Sequence, residues 1–212
     1  MDNVQIHFQK ETARQMIPVL EEKGYVAQYA DSAQEARKLA LELVPEGATV
    51  AVGGSVTLST LDLIKTFEEG NYNYIDRYHQ KDWDDTVQAY RDGLSSDVFV
   101  TSVNAITKDG ELVVRDCTGN RLSSIVFGPK KVVIIAGVNK VVEDLEEAFS
   151  RLEKVAPMNA RRLGHVAPCT ESGICSDCTV PGRVCNYTGI VHNGRKFPGR
   201  IHIILVAEEL GY

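Results

Sequence analysis

Two short runs of β-branched residues constrain the fold of this chain more than any other feature. Residues 98–103 and 132–136 are dominated by Val and Ile and contain no charged side chain. Runs of this length without polar alternation are typical of strands that are buried on both faces of a sheet. Segments with helical periodicity separate such runs along most of the chain. This alternation predicts an α/β fold with a mostly parallel sheet, helices on both faces and a helical N-terminal arm.

The region between the two runs combines a hairpin signal with polar residues at strand ends. Asp109-Gly110 is a tight-turn pair flanked by apolar residues, which predicts a β-hairpin. Asn104 and Asn139-Lys140 each follow a predicted buried strand. Because ligands bind beyond the carboxyl ends of strands in open α/β sheets, these positions predict a ligand site.

A third strand end carries a glycine pair. The strand predicted at residues 49–52 runs directly into Gly53-Gly54-Ser55, after which a helix is expected. Glycines let a ligand approach the backbone closely, and the N–H groups at a helix start favour an anion. The alternative is an ordinary tight turn between strand and helix. The segment is not a P-loop, since no Gly-Lys-Ser/Thr follows.

Three sequence stretches carry a resemblance to a known family. VGGSVTL (52–58), VNAITKDGEL (103–112) and DCTGNRLSSIVFGPKKVVIIAGVNK (116–140) resemble the lactate-utilisation (LUD) domain family. The resemblance extends over most of the chain, from about residue 48 to residue 157, and the cysteine-rich tail resembles one branch of the family. It implies a fold of the ribose-phosphate isomerase and CoA-transferase type and an association with bacterial lactate oxidation.

The resemblance and the polar residues together define candidate site residues. Relatives of the isomerase type use a carboxylate base and a lysine, and those of the transferase type use a glutamate nucleophile. Either reaction requires a carboxylate beside a substrate carbonyl and a nearby cation. The catalytic candidates are Glu111, Asp116 and Lys140. The ligand-binding candidates are Gly53, Gly54, Ser55, Asn104, Thr107, Asn120, Arg121 and Asn139. For Arg121 the alternative is a structural guanidinium that holds loop carbonyls.

Four cysteines near the C-terminus form a second candidate site. Cys169, Cys175, Cys178 and Cys185 follow the pattern C-x5-C-x2-C-x6-C, within a cysteine-rich segment (residues 168–189) that lacks periodicity. We expect this segment to be an insert in a single domain spanning residues 1–212. An iron–sulfur cluster, a structural zinc ion and four reduced thiols without metal all remain open. The spacing matches neither the ferredoxin run nor a zinc ribbon.

Composition excludes several classes of function. The net charge of −6 argues against a nucleic-acid-binding surface. No apolar run approaches the length of about 18 residues that a membrane span requires, and the N-terminus lacks a signal-peptide core. We therefore expect a cytoplasmic protein whose partners are a small anionic metabolite and other lactate-utilisation proteins.

Three functional hypotheses follow. In the first, the protein takes part in the utilisation of lactate or another 2-hydroxy acid and binds a small anionic metabolite at the strand carboxyl ends. In the second, it is a non-catalytic iron–sulfur or zinc-binding accessory subunit of a lactate-oxidising complex. In the third, it is an isomerase or transferase that acts on a phosphorylated or CoA-linked metabolite.

Two prolines predict helix interruptions. Pro18 is expected to kink or interrupt the second half of the N-terminal helix over residues 4–23, and Pro157 is expected to begin a separate short helix. Between them in the chain, residues 143–153 predict an amphipathic helix with Phe149 on its inner face.

Overall fold

The computed structural model describes residues 3–212, in which strands alternate with helices along most of the chain. The helices are α1 (Asn3–Glu22), α2 (Ala33–Glu42), α3 (Val56–Thr60), α4 (Leu63–Glu69), α5 (Trp83–Gly93), α6 (Asn120–Val126), α7 (Leu145–Arg162) and α8 (Pro168–Ser172). The strands are β1 (Val26–Ala30), β2 (Thr49–Val52), β3 (Asn73–Tyr74), β4 (Val98–Thr101), β5 (Ala105–Thr107), β6 (Leu112–Asp116), β7 (Lys131–Gly137), β8 (Val141–Val142), β9 (Tyr187–Val191) and β10 (Ile201–Val206). A short 3-10 helix, Val138–Lys140, follows β7.

The main sheet has six strands in the order β1-β10-β7-β4-β2-β3, and every pairing in it is parallel. Alternate residues of β7 point to opposite faces. Ile134 joins a core with Leu20 of α1, whereas Ile135 joins a second core with Phe67 of α4. Full burial of such side chains contributes roughly 1.5–3 kcal/mol each. The predicted α/β class is confirmed.

A smaller sheet has four strands in the order β8-β5-β6-β9. Strands β5 and β6 form the antiparallel hairpin that Asp109-Gly110 predicted, with Gly110 at a φ of +82°. Helix α7 packs on this sheet through Ala148 and Leu152. The small sheet therefore fixes the hairpin beside the main core.

Two expectations about helices were wrong, and Pro18 does not interrupt its helix. Helix α1 continues through Pro18, and α7 continues through Pro157. Pro18 lies on the exposed side of α1, where water can bond the carbonyl that lacks an amide partner. Pro157 is buried in α7, so packing offsets its missing hydrogen bond. Phe149 is 39% exposed rather than directed inward.

Among residues 3–212, none of the helices is both long enough and apolar enough to cross a membrane.

Candidate functional site

A cavity of about 260 Å³ opens at the carboxyl ends of three adjacent strands. Gly54 follows β2, Ser102 follows β4, and Lys140 follows β7, and all three residues line the cavity. These strands are neighbours in the order β7-β4-β2, so the parallel sheet brings their ends together. The cavity includes seven of the residues that the sequence suggested: Gly54, Ser55, Asn104, Asp116, Asn120, Arg121 and Lys140.

Lys140 is the buried amine of this cavity. Its side chain is almost completely enclosed, and its Nζ donates hydrogen bonds to Thr57 Oγ1 at 2.9 Å and to Ser102 Oγ at 2.8 Å. No carboxylate of the described chain forms an ion pair with it. Burial, reinforced by the positive charges of Arg121 and Arg151, lowers the pKa of Lys140 to about 7. Near neutral pH the lysine therefore populates both the charged and the neutral form.

Arg121 is held by the protein on every side of its guanidinium group. Its Nη2 donates to Asn104 Oδ1 at 2.9 Å and to the Arg115 carbonyl at 2.7 Å, and its Nη1 donates to the Ser102 carbonyl at 3.2 Å. Its Nε donates to Asp116 Oδ1 at 3.1 Å. These contacts match the alternative in which Arg121 holds loop carbonyls. They fix the loop that follows β4 and the C-terminal end of β6 around the cavity.

Asp116 uses both carboxylate oxygens within the protein. Oδ1 accepts from Arg121, and Oδ2 accepts from the Leu122 amide at 2.8 Å at the start of α6. The side chain is buried. These engagements leave Asp116 better suited to positioning Arg121 than to removing a proton from a substrate.

Asn104 offers the cavity a free amide. Its Oδ1 accepts from the Arg115 amide and from Arg121, both at 2.9 Å. Its carbonyl accepts from Arg151 Nε at 2.9 Å. Its Nδ2 makes no hydrogen bond with any part of the chain that the structure describes, so this donor is open to a ligand.

Four of the suggested residues do not line the cavity. Gly53 lies behind it, where an added Cβ would stand 2.3 Å from Thr101 Oγ1, so the glycine serves close packing. The other three make local contacts elsewhere. Thr107 closes the β5–β6 hairpin, Glu111 pairs with His192 Nδ1 at 2.6 Å, and Asn139 binds the C-terminal segment through the Leu210 amide at 3.1 Å.

Sequence reasoning missed three arginines that line the cavity. Arg77 follows β3, Arg115 lies in β6, and Arg162 ends α7. The strand-end rule that selected Lys140 also applies to Arg77. Arg115 is a charged residue in an otherwise buried strand, which is a second usable signal. Arg162 carries no comparable signal, because helix C-termini favour basic residues in general.

Arg77 is supported by aromatic rings and retains an unused donor. Its guanidinium lies 4.4 Å from the centre of the Tyr90 ring and 5.4 Å from that of Tyr78, and Nη2 donates to the Tyr90 hydroxyl at 2.8 Å. Its Nε is buried and has no hydrogen-bond partner in residues 3–212. An added Cβ on Gly54 would contact this guanidinium at 3.7 Å. Arg77 thus lies beside the glycine loop with spare hydrogen-bonding capacity.

Comparison with known proteins places the chain in a family. The sequence model of the LUD domain matches residues 13–206. The chain belongs to the LUD domain family. This confirms the resemblance carried by the three sequence stretches and associates the protein, in general terms, with lactate utilisation. Among curated proteins, none matches this LUD-domain chain.

Solved structures support the fold of this LUD-domain protein. A DUF162 family protein from Deinococcus radiodurans is 11% identical, with a TM-score of 0.53, and the alignment covers 93% of this chain and 97% of that one. At this identity the likeness concerns the fold alone. The eIF2B delta protein from Chaetomium thermophilum is 14% identical over 66% of this chain and 54% of that one. Its TM-score of 0.35 is too low to support any inference.

The cysteine-rich segment of the LUD-domain protein borders the same cavity. Cys185 and Cys117 both line it. Arg183 organises the segment, because its guanidinium donates to the Cys178 carbonyl at 2.5 Å and to the Cys185 carbonyl at 3.1 Å. Burial raises the pKa of the Cys117 thiol, and the Asp116 charge raises it further, so Cys117 is not an activated thiolate.

The four tail thiols are close enough to influence one another but are not gathered around one point. Burial raises the pKa of the Cys169 thiol, and so do the charges of Cys178, Cys175 and Cys185. A tetrahedral zinc site with Zn–S bonds of about 2.3 Å would place its sulfurs about 3.8 Å apart. In residues 3–212, one group of three metal-ligating side chains has its donor atoms within 4.8 Å of one another, and it consists of Glu68, Asp76 and His79 rather than tail cysteines. The tail thiols are therefore more widely spread than a preformed zinc site requires.

Proposed function

We propose that this LUD-domain protein binds a small anionic metabolite in the cavity at the strand carboxyl ends. The observation that carries the proposal is the charge of the cavity wall. Five cationic side chains line it: Arg77, Arg115, Arg121, Arg162 and Lys140. The acidic side chain of the lining is Asp116, which Arg121 already binds.

This positive charge is local rather than a property of the whole chain. The net charge of the protein is −6, yet Arg77, Arg115 and Arg162 form no ion pair with a carboxylate of residues 3–212. A concave wall lined by unpaired cations raises the local concentration of anions. The cavity volume of about 260 Å³ suits a small molecule rather than a polymer.

Arg115 is the best placed guanidinium for the anionic group. Its Nε donates to Thr188 Oγ1 at 3.1 Å, which fixes the plane of the group, while its Nη1 and Nη2 make no hydrogen bond within the described chain. Two parallel N–H groups are the donors that bind a carboxylate or a phosphate in bidentate geometry. Asn104 Nδ2 supplies a further donor on the same wall, and so does Lys140 Nζ when it is protonated. A 2-hydroxy or 2-oxo carboxylate fits this donor set and the family's association with lactate utilisation.

The lining is less suited to chemistry that depends on a free carboxylate. Glu111 lies outside the cavity in an ion pair with His192, and Asp116 is engaged at both oxygens. A glutamate nucleophile of the transferase type therefore has no counterpart in the wall that the structure describes. We accordingly favour metabolite binding over the isomerase and transferase hypotheses.

Calorimetric titration tests this function. L-lactate, pyruvate and ribose 5-phosphate are titrated into the purified protein and into the Arg115→Gln variant. We expect saturable binding of at least one of these anions and an affinity loss of about tenfold or more in Arg115→Gln, because a charge-assisted hydrogen bond contributes roughly 1.5–3 kcal/mol. Arg14→Gln is the control, since Arg14 is exposed on α1 and pairs with Glu11. Absence of binding by all three anions would contradict the proposal. Equal affinities of Arg115→Gln and Arg14→Gln for the bound anion would contradict it as well.

We also propose that the cysteine-rich segment binds an iron–sulfur cluster, which would make the protein a cofactor-containing component of lactate oxidation. Cys169, Cys175, Cys178 and Cys185 would hold it. Support comes from the spread of the thiols, since a cluster is larger than a single ion and its ligands stand farther apart. When bound, such a cluster supplies one-electron transfer. Iron and zinc analysis of protein purified without oxygen tests this assignment, and zinc in place of iron would overturn it.

A further inference from the structure

The amine of Lys140 is buried at a place where a purely structural lysine has no evident use. The residue is 3% exposed and forms no ion pair with a carboxylate in the described chain. Buried lysines in structural roles are paired with a carboxylate or extend their charged end to water. Lys140 does neither, and it lines the cavity. Burial without a partner costs free energy, which suggests that the amine itself is used.

The hydrogen bonds around Lys140 leave one position of its nitrogen open. Thr57 Oγ1 donates to the Leu210 carbonyl at 3.2 Å, so it accepts from Lys140. Ser102 Oγ donates to the Val103 carbonyl at 3.4 Å, so it also accepts from Lys140. A neutral amine has two N–H groups, and both are used here. Its lone pair then occupies the remaining position, and no described residue hydrogen-bonds there.

The surroundings keep this lone pair available. Arg121 and Arg151 lie close enough to disfavour a third positive charge, and they act together with burial on the pKa of Lys140. Neither arginine can accept a proton or a hydrogen bond. A neutral lysine amine in such a site is a nucleophile for carbonyl carbon.

We propose that Lys140 forms a reversible imine with the carbonyl group of a ligand whose anionic end is bound by the cavity arginines. This inference rests on the proposed anion-binding function and narrows the ligand to a 2-oxo acid or a phosphorylated ketone. The Lys140 nitrogen adds to the carbonyl carbon, and a proton moves from nitrogen to oxygen to give a carbinolamine. The C–O bond then breaks, the hydroxyl group takes the remaining N–H proton and leaves as water, and a neutral C=N bond remains. No oxidant or reductant takes part.

Reductive trapping tests the imine. The full-length protein is incubated separately with pyruvate and with dihydroxyacetone phosphate, reduced with cyanoborohydride, and analysed by intact-protein mass spectrometry and peptide mapping. We expect one adduct per chain on Lys140 with at least one probe, and the reactive probe distinguishes a carboxylate from a phosphate ligand. The Lys140→Met and Lys140→Arg variants should form no adduct at residue 140. Lys140→Arg keeps a buried cation, so it remains informative if Lys140→Met folds poorly.

The matched control is Lys131→Met. Lys131 is half-buried at the start of β7 and donates to the Leu43 carbonyl at 3.1 Å, outside the cavity. This variant should form the adduct as fully as the unmodified protein. Absence of an adduct on Lys140 with both probes would overturn the imine, as would equal labelling in Lys140→Arg. If L-lactate still binds in that case, anion binding stands without the imine. If L-lactate and both probes fail to bind, the anion-binding function fails as well.

Discussion

The cavity wall and the cysteine-rich segment lie side by side but are held together in different ways. The strands beneath the cavity contribute fully buried side chains such as Val50, Val100 and Val133. In the cysteine-rich segment (residues 168–189), one apolar side chain, Val184, is buried, and Ile174 is 72% exposed. The wall is therefore formed by packing before any ligand binds. The segment has little packing of its own, so under the cluster proposal the bound cluster would supply its order.

The same contrast appears between two arginines. Arg121 and Arg183 each bind backbone carbonyls and one carboxylate. Arg121 is buried together with Asp116, whereas the Asp177 partner of Arg183 is 89% exposed. A buried pair must remain complete, because removing one member leaves an uncompensated charge. An exposed pair contributes little to stability.

The largest effect is expected from Cys175→Ser. If the segment holds a cluster, the variant should lose its iron entirely, because the remaining thiols cannot complete a four-cysteine site. Hydrogen exchange over residues 169–186 should rise, since metal binding then supplies the folding free energy of this region. Exchange in β4, β7 and β10 should stay unchanged. Cys117→Ser is the control and should retain the iron. Equal exchange in both variants would show that packing alone orders the segment.

Arg121→Ala should have the next largest effect. It leaves the Asp116 carboxylate buried with the Leu122 amide as its remaining partner. We expect the free energy of unfolding to fall by about 3–5 kcal/mol in urea denaturation. Arg183→Ala is the matched control and should leave the global unfolding transition within experimental error. A similar loss of unfolding free energy in both variants would mean that the cavity wall and the cysteine-rich segment do not differ in how they are stabilised.

The sequence predicted the strand framework and the end of the sheet where the cavity lies, because burial and strand order follow from local patterns. The runs at residues 98–103 and 132–136 became β4 and β7, and Lys140 followed β7 as expected. Spatial grouping was harder to predict. Glu111 and Thr107 are near Asn104 in sequence, yet they belong to the turn end of the hairpin.

The remaining gaps arise from contacts between distant parts of the chain. Arg162 reaches the cavity because α7 continues through Pro157, which the sequence did not indicate. Asn139 follows a strand end but accepts a hydrogen bond from the Leu210 amide, 71 positions later in the chain. Strand-end position therefore selects candidates, and tertiary contacts decide which of them face a ligand.

The packed wall of the cavity buries the charged Lys140 amine at a cost in folding stability, and this cost should depend on pH. The pKa of Lys140 is lowered from 10.5 to about 7 in the folded protein, so the unfolded state binds more protons between these values. The free energy of unfolding should therefore rise with pH across this window. The cost of burying the protonated Lys140 amine should be fully present below about pH 7. Lys140→Met removes the penalty. Its stability advantage over the unmodified protein should be largest near neutral pH and should shrink by about 2–4 kcal/mol toward pH 10. Urea denaturation at several pH values measures this difference. Lys131→Met should follow the slope of the unmodified protein, and parallel curves for Lys140→Met would show that Lys140 carries no such penalty.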